Sequence, residues 1–324
     1  MDKLNDENLF GLFLQYFDIY EIIELIEKDK FILNFVIKNK WCVSNLDSET
    51  IHWINFGFIK NIRKLDISRS EIKKIPKELK NLEYLNCEVS DVEIIPKELR
   101  KLKHLNCSYS EIKEIPKELV NLKVLNCSYS EIKIIPNTLL NLIILICFNT
   151  KIKEIPKELV KFEVIYGVHT KIEVIPKELI NLKYLYCNFT KIKFIPKELR
   201  KLKHLNCSKT EVKEIPKELV NLEYLYCSFT EIKEIPKELK KLKYLECRNS
   251  DVKELPKTLK NLCELYCGYA KIKEIPKELI NLQELYCFGT KIKVIPKDLK
   301  KLKSINCKKI SLYKKDEEGN IMLN

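Results

Sequence analysis

Glycine, alanine and histidine are scarce in this chain. Its 324 residues hold six glycines, four histidines and a single alanine, Ala270. So little glycine leaves no phosphate-cradling loop, and neither G-x-S-x-G nor H-E-x-x-H occurs. Serines and threonines recur, but a hydroxyl without a paired base is not activated as a nucleophile. These absences predict a non-enzymatic protein that needs no cofactor and no metal. The start, Met1-Asp2-Lys3-Leu4-Asn5-Asp6-Glu7, has no basic n-region and so is no signal peptide. The most apolar run, Leu139 to Phe148, is broken by Asn141 and falls far short of the ~20 residues a membrane span needs. A soluble, intracellular, cytoplasmic chain is expected.

Repetition is what the chain has in abundance. The stretch L-x-x-L-x-C-x-x-(S/T)-x-(I/V)-x-x-I-P-K-E-L-x-x, clean from Leu102 to Asn121, recurs from Ile62 to Lys301 in twelve copies without insertion or deletion. A truncated thirteenth copy begins at Leu302. All twelve prolines, Pro76 to Pro296, stand 20 residues apart. A fixed period of about 20–29 residues with this leucine spacing resembles the leucine-rich repeat. The resemblance implies an α/β repeat solenoid, a horseshoe with a parallel sheet on its concave face and a small N-terminal helical cap.

The pattern also has a direct physical reading. L-x-L-x-C alternates with period two, so it predicts a short strand with Leu and Cys inward and the residues between them outward. The I-P step turns the chain, because proline fixes φ and cannot donate to a ladder. The five residues of I-P-K-E-L are too few for an α-helix, which usually runs about 10–14 residues, so a 3₁₀ turn or extended crossing is expected at the back. One unit cannot bury its own Leu, Ile and Pro, and stacking on neighbours supplies the core.

The third inward position is Cys in eleven units, from Cys87 to Cys307, with Ile67 and Gly167 as exceptions. Zinc needs four convergent ligands, whereas a row supplies one thiol per strand. Without a secretory route disulfides are disfavoured, so these thiols are expected to be unbonded core. Cys42 and Cys263 fall outside the column. Three residues after each column position stands Ser or Thr, from Ser70 through Thr290, with Ala270 excepted. Its hydroxyl is expected to share the backbone-bonding work that Asn does in most leucine-rich repeats.

The outward positions should carry recognition. Twelve of fifteen tyrosines fall in three outward columns. Tyrosine gives large contact area at low entropic cost; the blander reading is that aromatics suit strands. Units 142–161 and 162–181 turn apolar outward, with Ile144, Ile146 and Phe148, then Val164, Tyr166, Val168 and His169. An exposed apolar patch marks an interaction site, although drift in a redundant array would also produce one. Tyr184, Tyr186, Tyr224 and Tyr226 extend this candidate protein-binding face. Lys151, Lys171, Lys191, Lys271 and Lys291 replace acids found in other units, and could form a basic edge for an acidic partner or nucleic acid.

Three segments follow from the pattern: a head at 1–61, the repeats at 62–309 and a tail at 310–324. The head holds six lysines against ten acids, about −4, so with +13 overall the remainder carries +17. Apolar residues recur at spacings of three and four through 4–41, predicting three short helices, and a fourth is expected around Ser48 to Phe58. The tail reads as a hairpin around Asp316-Glu317-Glu318-Gly319-Asn320.

Residues 4–25, L-N-D-E-N-L-F-G-L-F-L-Q-Y-F-D-I-Y-E-I-I-E-L, resemble an F-box, with Asn5 where the family has proline and one extra residue before Tyr16-Phe17-Asp18. The resemblance implies docking onto the adaptor subunit of a cullin–RING ubiquitin ligase through Leu4, Leu9, Leu12, Phe13, Phe17, Ile22 and Ile23. A plain helical cap on the first repeat is the other reading. The whole architecture is similar to the F-box and leucine-rich-repeat proteins of giant DNA viruses, which would place it in a host cell. The functional expectation is a protein-recognition module, as a ubiquitin-ligase substrate receptor or as a scaffold, with a nucleic-acid-binding solenoid as the further alternative.

Overall fold

The computed structural model describes residues 42–44, 62–307 and 316–323. The expected head helices, with the F-box-like Leu4, Leu9, Leu12, Phe13, Phe17, Ile22 and Ile23, lie outside the described residues. The chain forms two compact units, divided between Leu142 and Ile143. Each is a parallel-sheet solenoid of 20-residue turns.

In the first unit five three-residue strands pair in parallel: β1 (Cys42–Ser44), β2 (Lys64–Asp66), β3 (Tyr84–Asn86), β4 (His104–Asn106) and β5 (Val124–Asn126). Register follows the repeat, Leu65 opposite Leu85, Leu85 opposite Leu105 and Leu105 opposite Leu125. Strand β1 lies inside the segment expected to be a helical head. There Val43 falls opposite Leu65, so among the described residues the sheet includes one strand before the first recognisable repeat.

In the second unit the parallel strands are β6 (Ile144–Ile146), β7 (Val164–Tyr166), β8 (Tyr184–Tyr186), β9 (His204–Asn206), β10 (Tyr224–Tyr226), β11 (Tyr244–Glu246), β12 (Glu264–Tyr266) and β13 (Glu284–Tyr286). After them come β14 (Val294–Ile295), β15 (Ser304–Asn306), which pairs in parallel with β13, and β16 (Ile321–Met322). β16 runs antiparallel to β14, and the Leu323 N–H donates to the Lys293 carbonyl at 2.8 Å. The expected turn at 316–320 forms around Asn320, whose N–H donates to Asp316 Oδ1 at 2.8 Å. The strand after that turn docks on the back of the last full repeat.

The period-two alternation places the core. Leu125 and Cys127 are fully buried, while Val124 and Asn126 stay half-exposed. At the back, the Leu119 N–H donates to the Pro116 carbonyl and the Leu122 N–H to the Leu119 carbonyl. These consecutive three-residue closures are the tight crossing that five residues permit. No helix occurs among the described residues.

The expected backbone bonding by the hydroxyl column forms, but within each turn and not between adjacent turns. Ser110 Oγ donates to the Cys107 carbonyl at 2.7 Å and Thr210 Oγ1 to the Cys207 carbonyl at 2.6 Å. The hydroxyls therefore tie each turn to itself. Among the side-chain links between turns is one from the asparagine before the first repeat leucine: Asn121 Nδ2 donates to the Arg100 carbonyl and Asn221 Nδ2 to the Arg200 carbonyl.

The cysteine column needs one correction. Cys287 and Cys307 form a disulfide, whereas the sequence pattern predicts unbonded thiols throughout. Register alone brings their Cα atoms to 4.5 Å, inside the range a bridge can span. The column cysteines from Cys87 to Cys267 are free and buried, and Cys263 is free and half-exposed. Burial pushes the Cys147 and Cys207 thiols up to about 12.

Candidate protein-binding face

With Leu and Cys inward, the first and third residues of every strand project to the opposite side of the sheet. In the second unit this side is paved with rings. Tyr184, His204 and Tyr224 occupy the same position of adjacent strands; their centroids lie 4.7 Å apart for the first pair and 4.2 Å for the second. Tyr224 continues to Tyr244 at 6.2 Å. Tyr166 stacks on Tyr186 at 4.7 Å, and Phe148 tilts toward Tyr166 at 5.9 Å. Further along, Tyr226 and Tyr266 flank Tyr244 at 4.7 and 5.4 Å. Parallel strands about 4.8 Å apart bring same-column rings to stacking distance, so the repeat length itself builds the ladder.

The structure thus brings together Ile144, Ile146, Val164, Tyr166, Tyr184, Tyr186, Tyr224 and Tyr226 on one face, all half-buried. Phe148, just after β6, lies against Tyr166 of this face, and Val168, just after β7, is half-buried. His169 stands differently, in the turn beyond β7, exposed and stacked on Phe189 at 4.1 Å.

The position of His169 reveals a second rail. The second residue after each column cysteine, or its equivalent, has positive φ in eleven non-glycine cases from Arg69 to Tyr269, between 49° and 60°. Glycine or asparagine would sit there with least strain. Instead the chain places Tyr109 and Tyr129 in unit one, stacked at 4.3 Å. Unit two carries His169, Phe189, Lys209 and Phe229, with Lys209 Nζ 4.5 Å from the Phe189 ring and 5.0 Å from the Phe229 ring. The same conformation at Arg69, Val89, Asn149 and Asn249 shows that it belongs to the turn of the repeat, and it leaves Tyr109, Phe189 and Phe229 exposed. A column tolerant of aromatics at a glycine-like spacing was the only sequence signal of this.

Electrostatics sharpen the far end of the face. Tyr244 Oη donates to Glu246 at 3.2 Å and Tyr266 Oη to Glu284 at 2.9 Å. The carboxylate bond and burial push the Tyr266 phenol up to about 12. His204 is held below the ordinary imidazole value, chiefly by burial between its neighbours. Asn188 Oδ1 and Arg248 Nε are buried without a hydrogen-bond partner, a condition that a bound polar ligand would relieve. Arg248 lies against the rings of Tyr266 and Tyr286. Gly268 makes room for this packing, since a Cβ there would come within 2.8 Å of the Tyr286 ring.

The lysine edge is partly neutralised. Lys271 pairs with Asp251 at 2.7 Å. Among the described residues no cluster of His, Cys, Asp or Glu could hold a metal ion, and no helix is long and apolar enough to cross a membrane.

No protein-family model matches the sequence, and no curated protein matches it. Solved structures do. An internalin from Listeria monocytogenes aligns at 22% identity over 79% of this chain and 90% of its own, with a TM-score of 0.67. A leucine-rich-repeat protein of Leptospira interrogans aligns at 26% identity over 82% and 81%, with a TM-score of 0.63. A plant peptide-hormone receptor, solved with the hormone RGF2, aligns at 22% over 82% of this chain and 49% of its own, with a TM-score of 0.66. The fold is that of leucine-rich-repeat proteins.

Proposed function

We propose that the protein is a non-enzymatic recognition module whose second unit holds a segment of a protein partner on its ring-lined sheet face. The observation that carries this is the ring run Tyr184–His204–Tyr224, tilted at the first contact and stacked at the second, which presents rigid aromatic area outward from a sheet whose other side is already filled. Aromatic residues are enriched at interfaces and dominate their energetics. A structurally similar receptor was solved with a peptide hormone, which fits a peptide-sized occupant. The buried thiols, held in their protonated form, supply no nucleophile.

The F-box resemblance of residues 4–25 adds a finer reading, in which the head docks a cullin–RING adaptor inside the cell and the face holds the target. One pulldown series tests both layers. Tyr166→Ala with Tyr226→Ala should remove the target and spare the adaptor, whereas Leu9→Asp with Phe13→Asp should do the reverse. Failure of the head variant to change any partner leaves recognition without a ubiquitin role. A face variant that retains every partner refutes the recognition site.

A further inference from the structure

The outward positions of unit two change character along the sheet. On β6 and β7 they are Ile144, Ile146, Val164 and Tyr166, without a charge. On β11 to β13 they bring Glu246, Glu264 and Glu284 among tyrosines, in a chain whose net charge is +13. No cation pairs with Glu264 or Glu284 among the described residues.

Arg248 shows how this end receives a cation. Its guanidinium carbon lies 4.7 Å from the Tyr286 centroid and 5.1 Å from that of Tyr266. Its Nε stands 3.7 Å from Glu246 Oε1. Tyrosine faces and carboxylates together suit a guanidinium or ammonium, because the ring quadrupole and the acid attract the same charge. They repel an acidic segment or a phosphate backbone.

Resting on the recognition reading above, we propose that the occupant is an extended peptide segment, apolar at one end and carrying arginine or lysine at the other. It lies across the strands with its apolar end on β6 and β7 and its basic end on β11 to β13. Strands about 4.8 Å apart make the path from β6 to β13 roughly 34 Å long, which an extended chain covers in about ten residues. The uncharged end cannot desolvate a lysine without a partner, and the acidic end gains little from a leucine, so the segment has one direction on the face.

The test selects from a random ten-residue peptide library displayed on phage, using the immobilised full chain. Enriched peptides are then titrated by fluorescence anisotropy. The expected result is enrichment of Arg or Lys several residues from an apolar cluster. Binding should weaken at least tenfold with Glu264→Lys and Glu284→Lys, and measurably with the near-isosteric Glu264→Gln and Glu284→Gln, which guards against misfolding. Ile146→Asp should weaken the same peptides. Enriched peptides without basic residues, or indifferent to both glutamate pairs but sensitive to Ile146→Asp, would overturn the polarity and leave protein recognition standing. No enrichment over a Tyr166→Ala, Tyr226→Ala protein would sink both.

Discussion

The imidazole of His204 lies 12° from parallel to the Tyr224 ring, with centroids 4.2 Å apart, and 4.7 Å from Tyr184 on its other side. It therefore completes the aromatic ladder between two tyrosines. In the sequence it sits in R-K-L-K-H-L-N-C-S, the same string that surrounds His104, and reads as a by-product of duplication. The first-unit copy has a looser setting, with Tyr84 6.3 Å away and tilted. Identical local sequences thus acquire different surroundings from neighbours 20 residues away, which no local reading contains.

His204 should titrate below the ordinary imidazole value near 6.5. Burial disfavours its charged form and outweighs the opposing pull of Glu223, while Lys203 adds a smaller push in the same direction as burial. A depressed value means that this residue's stabilisation is present above the unfolded-state value and is lost as pH falls through the folded one. His204→Gln should flatten the decline in stability between about pH 7 and 5, leaving the share that His104, lowered likewise by burial, retains. NMR titration of the imidazole proton checks this, and a midpoint at or above 6.5 would refute it.

The positive-φ rail predicts stabilising substitutions. Val89 is β-branched, has φ of 51° and is exposed, so its side chain costs strain with little burial to offset it. Val89→Asn should raise stability by about 0.5–1 kcal/mol, since asparagine tolerates this conformation. Phe229→Asn should gain less, because the Lys209 contact at 5.0 Å is lost with the ring. Urea midpoints at constant m-value measure both. Equal gains at the two sites would mean that the ring contact contributes nothing.

The thiols predict an alkaline weakness. Free thiols in the unfolded chain ionise near pH 8.5, whereas burial raises Cys147, Cys207 and Cys247 to about 12. Raised values give stability that is present below the unfolded-state value and lost as pH rises through the folded one. Stability should therefore fall between about pH 9 and 12. Cys207→Ala should cost about 1–3 kcal/mol at neutral pH through lost burial, yet shrink the alkaline loss. Reductant acts on Cys287–Cys307, which closes a 20-residue step. By loop entropy that bridge is worth at most about 3 kcal/mol. In a quasi-one-dimensional array the effect should stay local. Hydrogen exchange after reduction should change only around β13 to β16; loss of protection back to β6 would contradict this.

Much of the fold was legible because the repeat carries it. Period two in L-x-L-x-C dictated buried Leu125 and Cys127, and the five-residue I-P-K-E-L excluded a helix at the back. Strand β1 was hidden because its sequence, Cys42-Val43-Ser44, shares only an apolar centre with the repeat. The Cys287–Cys307 bridge escapes a reading that weighs compartment above register, although register alone sets the Cα spacing. At the candidate site, the columns anticipated that the tyrosines face outward from the sheet but said nothing of the backbone at Phe189 and Phe229. Nor did they show that Arg248 would lie over Tyr266 and Tyr286, because that contact joins turns of different sequence.

The sheet face and the lysine edge make opposite claims about the partner, and salt separates them. Hot spots are few, central and often aromatic, with truncation costs of about 2 kcal/mol or more. Ile146 and Tyr166 stand on adjacent strands at the same position, half-buried and in register. Ile146→Asp or Tyr166→Ala should therefore weaken the principal partner at least tenfold, where about 1.4 kcal/mol is a factor of ten. Charge reversal at Lys151, Lys171 and Lys191 should mainly slow association, as rim charges do. A nucleic-acid partner would invert this order, with affinity falling steeply in salt and the lysine changes dominating. Binding of both sets of variants, measured at two salt concentrations, distinguishes the two partners. If the lysine set costs more than the Ile146 and Tyr166 set, and that cost vanishes at high salt, the ring-lined face is not the binding site.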